Sequence, residues 1–316
     1  MTADTRRVGA IVRKELITLT SYRVHLAMRF MQVWYYAISF YFVGEFVGDP
    51  EAISEFDGGY FEFVLIGSVV SSFVTVGLAS FAAQIAEEQN QGTLESILTT
   101  PTPTWVLVAS SHVIPLLFVA IETVVMLAIG LGFFGSGISV LGLIASIPIL
   151  LLTAASFAPF GILSAAFIIL VKRGDPFSGP VEQVTYLLSG AMFPITVLPG
   201  WLQGFAELIP ATHGVRATRE LAQRNANLLD VLPEFGVLLG FTLIATPIAA
   251  MGFRRAVLVA RRAGTLGTYC GVWAALASSS RSIARGTRRS MSRACSSCTA
   301  GRPRKSLAAL RWRRNT

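Results

Sequence analysis

Residues 87–101 read EEQNQGTLESILTTP, a short polar stretch between two long apolar runs. Thr93 can cap a helix, because its hydroxyl can accept a hydrogen bond from a backbone amide of the first turn. Glu95 lies in that first turn, where a negative charge favours the helix dipole. Pro101 ends the helix, because proline moves the preceding residue out of the α region. The pattern predicts a separate short helix over residues 93–100.

The apolar residues of this short helix share one face. Leu94, Ile97 and Leu98 are spaced i, i+3 and i+4, which is the spacing of an amphipathic helix. Two turns of helix are too short to be stable alone in water. The segment is therefore suited to binding in a groove on another protein.

The composition of the whole chain is that of a membrane protein. Of its 316 residues, 53% are hydrophobic and 14% are charged, whereas soluble domains average about 25% charged residues. A membrane-spanning helix needs roughly 20 predominantly apolar residues. Six runs come near or exceed that length, at residues 24–47, 61–83, 106–134, 138–171, 181–198 and 235–253. The sequence predicts an all-α polytopic fold with six transmembrane helices in a domain over residues 24–269, and no cleavable signal peptide.

The positions of Lys and Arg indicate the orientation in the membrane, since basic residues favour the cytosolic side. Basic residues precede the first apolar run and follow the fourth and sixth, whereas residues 48–60 contain four acids and no base. This predicts a multi-pass protein of the cytoplasmic membrane with both termini and the 87–104 loop in the cytosol. Arg216, Arg219 and Arg224 are an exception in a predicted polar outer loop, where acidic residues offset them.

The fifth apolar run is interrupted. Ser189, Gly190 and Pro194 break it, and Pro199 and Gly200 follow. Trp201 suits a membrane interface, so residues 201–209 are predicted to form a short helix that re-enters or skims the outer leaflet. Irregular backbone at membrane depth requires surrounding protein or a water-filled cavity. After Pro210, a polar outer helix is predicted over residues 215–223.

The two ends of the chain differ from this body. Residues 1–23 show helical spacing of apolar residues with basic residues on other faces, which favours an interfacial amphipathic helix over a frayed leader. Residues 268–316 contain 11 of the 26 Lys and Arg and no Asp or Glu. Residues 270–316 are rich in Ser and Arg and lack apolar periodicity, so they are predicted to be a disordered basic tail.

Two motifs together resemble the type 2 ABC exporter permeases. Glu88-x-x-x-Gly92-Thr93-Leu94-Glu95, followed by Thr100-Pro101, is similar to the first cytosolic loop of that family. Leu188-Ser189-Gly190-Ala191-Met192-Phe193-Pro194, then Leu198-Pro199-Gly200-Trp201-Leu202 and Ile209-Pro210, resembles its broken fifth span and outer helices. The resemblance covers about residues 5–269.

The resemblance implies a function. In that family the short cytosolic helix is the coupling helix that docks onto a separate ATP-binding subunit. The partner would bind ATP and Mg²⁺, this chain would hold no cofactor, and two permease copies or a pair of related permeases would form the pathway. The exported substrate would be hydrophobic or amphiphilic. The chain departs from the family at Gln89, Asn90 and Gln91, where basic residues are usual. Its residues after Tyr269 look additional, and our hypothesis is that they are a read-through or frame-altered extension without function.

The candidate site residues follow from these motifs. The coupling residues are Glu87, Glu88, Gly92, Thr93, Leu94, Glu95, Ile97, Leu98, Thr100 and Pro101. The outer re-entrant residues are Gly190, Pro194, Pro199, Gly200, Trp201 and Pro210.

A few polar and small residues lie within the apolar runs. Glu122 lies in the middle of the third, where a charge costs about 3 kcal/mol on insertion scales. It is either a pathway residue facing the bundle interior or a structural carboxyl. Arg29 and Glu62 are expected to extend to the interface. The line of small residues Gly67-Ser71-Thr75 predicts close helix packing, within the subunit or at a dimer seam.

The sequence lacks the residues that several other classes of function require. The sequence contains no phosphate-binding loop of the Gly-x-x-x-x-Gly-Lys-Ser/Thr type, and the spacing of its cysteines and histidines predicts no metal site and no catalytic residues. We expect no nucleic-acid partner, although the tail is basic. Two alternatives remain: an intramembrane enzyme built around Glu122 and His112, and a non-transporting regulatory or assembly factor of the membrane.

Overall fold

The computed structural model describes residues 23–47, 59–94, 104–133, 138–171, 175, 177–224 and 229–262. The predicted interfacial helix before residue 23 and the predicted tail at 270–316 lie outside the described residues. The predicted coupling helix is described only at Thr93 and Leu94.

The described part of the chain is helical and contains no strand. Its helices are α1 (Arg23–Val47), α2 (Gly59–Gln91), α3 (Thr104–Phe133), α4 (Val140–Val171), α5 (Ser178–Leu188), α6 (Gly200–Leu208), α7 (Pro210–Ala222) and α8 (Leu232–Arg262), with one 3₁₀ turn at Ile195–Val197.

Four helices among the described residues are long and apolar enough to cross a membrane: Gly59–Gln91, Val106–Gly132, Val140–Val171 and Leu232–Ala260. The prediction of an all-helical membrane protein is confirmed, whereas the arrangement of six spans with a broken fifth stays a prediction. Helix α1 has 25 residues, yet Arg29, Gln32 and several Tyr and Trp residues make it less apolar. Helix α5 has 11 residues and ends at Leu188, so the predicted span at 181–198 is not one continuous helix.

Glycines bring three of these helices into backbone contact. A Cβ atom at Gly77 of α2 would lie 2.1 Å from the carbonyl oxygen of Ala154 in α4. One at Gly142 of α4 would lie 2.0 Å from the carbonyl oxygen of Leu221 in α7. No side chain fits at either position, so α2, α4 and α7 pack main chain against main chain.

The small-residue line of α2 divides between two roles. Gly67 packs inside the subunit, since a Cβ there would lie 2.1 Å from the carbonyl oxygen of Ala191. Ser71 and Thr75 instead line a cavity. The prediction of packing within the subunit is therefore confirmed for Gly67 alone.

Helix α7 begins earlier than the sequence pattern predicts, at Pro210 rather than near residue 215. Proline is favoured at the first helical position, because its missing N–H would have no partner there. The helix buries Arg219, which is 6% exposed, so the expectation of a polar outer loop is wrong at this residue. The guanidinium of Arg219 lies 3.4 Å from the ring centroid of Phe63 and donates to the carbonyl oxygens of Phe63 (3.0 Å) and Ala191 (3.2 Å).

Asp175 fixes the start of α5 after the α4 helix. Its Oδ1 accepts hydrogen bonds from the backbone amides of Phe177 (3.0 Å) and Ser178 (3.1 Å) and from the hydroxyl of Ser164 in α4. Burial raises the pKa of Asp175, but these hydrogen bonds outweigh it and hold the pKa below its ordinary value. One carboxylate thus caps α5 and joins it to α4.

Candidate functional site

The candidate coupling junction begins where α2 ends. Helix α2 runs to Gln91, and Gly92 then adopts a positive φ of 73°, a conformation that glycine reaches without strain. The amide of Thr93 donates to the carbonyl oxygen of Glu88 at 3.0 Å. Helical geometry resumes at Leu94. The turn at Gly92 is a left-handed helix end, which terminates α2 before Thr93 and Leu94.

The predicted coupling residues at this junction differ in their exposure to solvent. Glu87 is exposed, whereas Glu88 is 8% exposed and its carboxylate accepts a hydrogen bond from the hydroxyl of Thr93. Leu94, predicted as an apolar anchor for a partner, is 5% exposed. The other predicted coupling residues, Glu95, Ile97, Leu98, Thr100 and Pro101, lie outside the described residues. Docking at this junction stays a prediction.

The interruption predicted after α5 is present in the structure. Ser189 closes the last turn of α5, and Gly190 has a positive φ of 77°. Pro194 leads into the 3₁₀ turn, and Pro199 precedes α6, which begins at Gly200. These five residues determine where the helix stops and restarts, because each either requires or permits a non-helical conformation.

Protein surrounds this interruption. Ala191, within the break, contacts Gly67 of α2 and accepts a hydrogen bond from Arg219 of α7. Trp201 of α6 is 69% exposed, as suits an aromatic side chain at a membrane interface. The irregular backbone thus contacts both α2 and α7.

An ion-pair cluster joins the outer helices to α8. Arg216 of α7 pairs with Glu207 of α6 and, at 3.2 Å, with Glu234 of α8, which also contacts His213. Burial lowers the pKa of Arg216, but the two carboxylates outweigh it and raise the pKa above its ordinary value. This cluster holds α6, α7 and α8 in a fixed arrangement.

A cavity of about 430 Å³ lies among α1, α2, α3 and α5. Thr75, near the middle of the 33-residue α2, lies in its wall, so the cavity is at mid-depth of the spanning helices. Its polar lining consists of Arg29, Gln32, Tyr36, Ser68, Ser71, Ser72, Thr75, Glu122, Thr123, Glu182, Gln183, Thr185 and Tyr186. The remaining lining is mostly valine with Phe40 and Met126.

An ion pair crosses one side of this cavity. Arg29 of α1 binds Glu122 of α3 through Nε, and the guanidinium lies 5.1 Å from the ring centroid of Phe118. The expectation that Arg29 extends to the membrane interface is therefore wrong, because a carboxylate inside the bundle holds it. Glu62, which was given the same expectation, is buried. Glu122 does face the bundle interior, as one of its two predicted roles requires.

The wall contributed by α2 is a line of hydroxyl groups. Ser68, Ser71 and Ser72 donate to carbonyl oxygens of α2 itself at 2.8–3.0 Å. Thr75 Oγ1 lies 2.7 Å from Glu182 Oε1 of α5 and 3.0 Å from the carbonyl oxygen of Ser71. Sequence reasoning missed Glu182, whose position at the start of an apolar run was the available signal.

The proposed pair for an intramembrane enzyme does not meet. His112 Nδ1 lies 2.7 Å from the carbonyl oxygen of Val108, and Nε2 lies 3.4 Å from that of Gly77. Glu122 is ten positions further along α3, about 15 Å at 1.5 Å per residue, and binds Arg29. The described residues therefore contain no His112–Glu122 contact, and no group of three side chains that could hold a metal ion.

Comparison of the sequence with known proteins identifies two relatives that are named as transporter permeases. The chain is 24% identical over 200 residues to the probable multidrug ABC transporter permease YbhR of Escherichia coli K12, covering 63% of this chain and 54% of YbhR. It is 28% identical over 232 residues to the inner membrane transport permease YadH of the same strain, covering 67% of this chain and 85% of YadH. The chain thus spans about half the length of YbhR and most of YadH.

Family assignment rests on a match that covers more than half of the chain. Residues 6–222 match the family described as ABC-2 type transporter, a segment that includes the junction at Gly92, the cavity and the broken region after α5. Both relatives described above are named as transporter permeases. The chain belongs to the ABC-2 type transporter family.

Proposed function

We propose that this chain is the membrane subunit of an ABC exporter, and that a separate ATP-binding subunit drives it through the coupling junction. The exported substrate is hydrophobic or amphiphilic and passes by the cavity among α1, α2, α3 and α5. ATP and Mg²⁺ bind to the partner. A second copy of this chain or a related permease completes the pathway across the cytoplasmic membrane.

One observation supports this proposal above the others: the two helices that flank the junction both line the cavity. Helix α2 contributes Thr75 to the cavity and continues without interruption to Gln91, about 24 Å further along the axis. Helix α3 begins at Thr104 and contributes Glu122. A displacement of the segment between them therefore reaches both walls of the cavity through rigid helices.

The geometry fits the requirement for coupled transport. Transport needs two states of the membrane subunit whose balance depends on the nucleotide state of the partner. The turn at Gly92 lets the segment after it change direction relative to α2, while the bonds from Thr93 to Glu88 keep it attached to the helix end. A partner that holds this segment can thus move α2.

The test is co-purification of this chain with a co-expressed ATP-binding subunit of an ABC transporter. The double variant Leu94→Asp and Ile97→Asp removes the apolar face of the predicted coupling helix. We therefore expect that the ATP-binding subunit no longer co-purifies, while the chain still inserts into the membrane. Because Leu94 is buried in the isolated chain, the pair Ile97→Asp and Leu98→Asp serves as a second variant. The control places two aspartates at Thr196 and Val197, which are exposed in the outer 3₁₀ turn.

The result that contradicts the proposal is unchanged recovery of the ATP-binding subunit with both junction variants. The Tm of each variant must first lie within a few degrees of that of the unsubstituted chain. A missing ATP-binding subunit then cannot be explained by unfolding of the variant. Equal loss of the partner with the control at Thr196 and Val197 would also contradict docking at the junction.

The intramembrane-enzyme alternative has no observation in its favour, since His112 and Glu122 are apart. The regulatory or assembly alternative differs from transport in needing no nucleotide turnover. Substrate-stimulated ATP hydrolysis by the purified complex distinguishes it from an exporter.

A further inference from the structure

We propose that the cavity among α1, α2, α3 and α5 selects an amphiphilic cation, and that the carboxylate of Glu182 is the group that binds its charge. The proposal rests on the proposed function in one respect, namely that this cavity lies on the transport pathway. It adds the chemical class of the substrate and the residue that selects it.

The charges that line the cavity do not cancel. Arg29 and Glu122 neutralise one another as an ion pair. Glu182 forms no ion pair within the described part of the chain, and its hydrogen-bond partner there is the neutral hydroxyl of Thr75 at 2.7 Å. The lining therefore carries one net negative charge.

The position of this charge makes a cationic ligand favourable. Thr75 lies near the middle of α2, so the carboxylate it contacts is at mid-depth of the helices, where an ionised group is unfavourable without a counter-charge. Arg29 cannot supply that counter-charge while it binds Glu122. A ligand that brings its own positive charge compensates Glu182 without breaking the existing pair.

The rest of the lining suits the body of such a ligand. Tyr36 and Phe40 of α1 and Tyr186 of α5 present aromatic rings, whose faces attract cations. Valines and Met126 supply apolar surface. The cavity volume of about 430 Å³ is within the roughly 300–1,000 Å³ that small-molecule sites occupy.

The hydroxyl wall adds hydrogen-bond acceptors. The protons of Ser68, Ser71 and Ser72 are used in bonds to carbonyl oxygens of α2. Their oxygen lone pairs remain able to accept hydrogen bonds. Such a wall complements an ammonium or amine N–H better than a carboxylate or phosphate.

The experiment compares two probes of nearly equal shape and opposite charge, tetraphenylphosphonium and tetraphenylborate. The purified full-length chain in phosphatidylcholine nanodiscs is dialysed against each labelled probe, and binding to empty nanodiscs is subtracted. We expect saturable binding of the cation and not of the anion. Glu182→Gln should weaken cation binding by about tenfold or more, since it removes the charge and keeps the shape.

Three further variants make the result specific to Glu182. Glu45→Gln removes an exposed carboxylate of α1 outside the cavity and should leave binding unchanged. The double variant Arg29→Gln and Glu122→Gln removes the ion pair without changing the net charge, so the preference for the cation should persist. Gln183→Glu adds a second negative charge to the lining and should strengthen cation binding by about threefold or more. This last variant keeps the proposal testable if Glu182→Gln does not fold.

Two outcomes overturn the proposal: equal or stronger binding of tetraphenylborate, and a folded Glu182→Gln chain that binds the cation as the unsubstituted chain does. The assay contains no ATP-binding subunit and no nucleotide, so it reports on the cavity alone. Co-purification reports on the junction alone. Either proposal can therefore fail while the other stands.

Discussion

The ion pair between Arg29 and Glu122 allows a quantitative test of how the helices around the cavity are held together. Glu122→Gln keeps the shape of the side chain and removes its charge. The guanidinium of Arg29 then remains inside the bundle without its carboxylate. We expect this variant to be less stable because the charge of Arg29 loses its counter-charge in the membrane interior.

The magnitude follows from the exposure of the two side chains. Two unit charges 4 Å apart interact by about 4 kcal/mol at an effective dielectric constant of 20. The side chain of Arg29 is 35% exposed and that of Glu122 is 19% exposed, so water in the cavity screens the pair and we halve that value to about 2 kcal/mol. For a helical domain of this size, about 2 kcal/mol corresponds to a fall in Tm of roughly 4–8 °C.

The assay is a double-mutant cycle of thermal unfolding in nanodiscs, with Arg29→Gln, Glu122→Gln and the double variant. If the pair is formed, the double variant should lose about 2 kcal/mol less than the sum of the two single variants. Glu45→Gln, an exposed carboxylate of α1, is the matched control and should change stability by less than about 0.5 kcal/mol. Single effects that add within about 0.5 kcal/mol would refute the pairing.

Two further predictions concern packing and pH. Gly77→Val should destabilise the chain by about 1–3 kcal/mol, because the new side chain collides with the backbone of Ala154. The control Gly240→Val should be nearly neutral, because a Cβ atom at that position meets open space. Equal Tm values for the two variants would contradict the close packing. Asp175→Ala should cost about 0.5–2 kcal/mol at neutral pH through loss of the α5 cap. Folding lowers the pKa of Asp175. The contribution of its carboxylate to the stability of the fold is therefore complete above the ordinary pKa of about 3.8. That contribution is lost as the pH falls through the lower pKa of the folded state. The difference in Tm between Asp175→Ala and the unsubstituted chain should therefore narrow at about pH 3, and a difference that stays constant from neutral pH would contradict this account.

The features that the sequence predicts well are those determined by a few adjacent residues. Gly92 marks the end of α2, because its neighbours can form a helix and glycine can leave it. Gly190, Pro194 and Pro199 mark the interruption between α5 and α6 for the same local reasons. The length of α4 follows from one uninterrupted apolar run.

The features that the sequence does not predict depend on which helices are neighbours. Arg29 and Glu122 are 93 positions apart, and Thr75 and Glu182 are 107 apart, so no local pattern relates them. Arg219 has the composition of an outer loop residue, yet the packing of α7 against Phe63 buries it.

The glycine contacts of α2 and α4 have a mechanical consequence. With no side chain between the backbones at Gly77 and Gly142, the three helices α2, α4 and α7 cannot slide along one another without collision of main-chain atoms. They must travel as one rigid unit, whereas α1 and α3 can shift against it. A pull on the Gln91 end of α2 would then displace α7 by the same amount, with no intermediate relay.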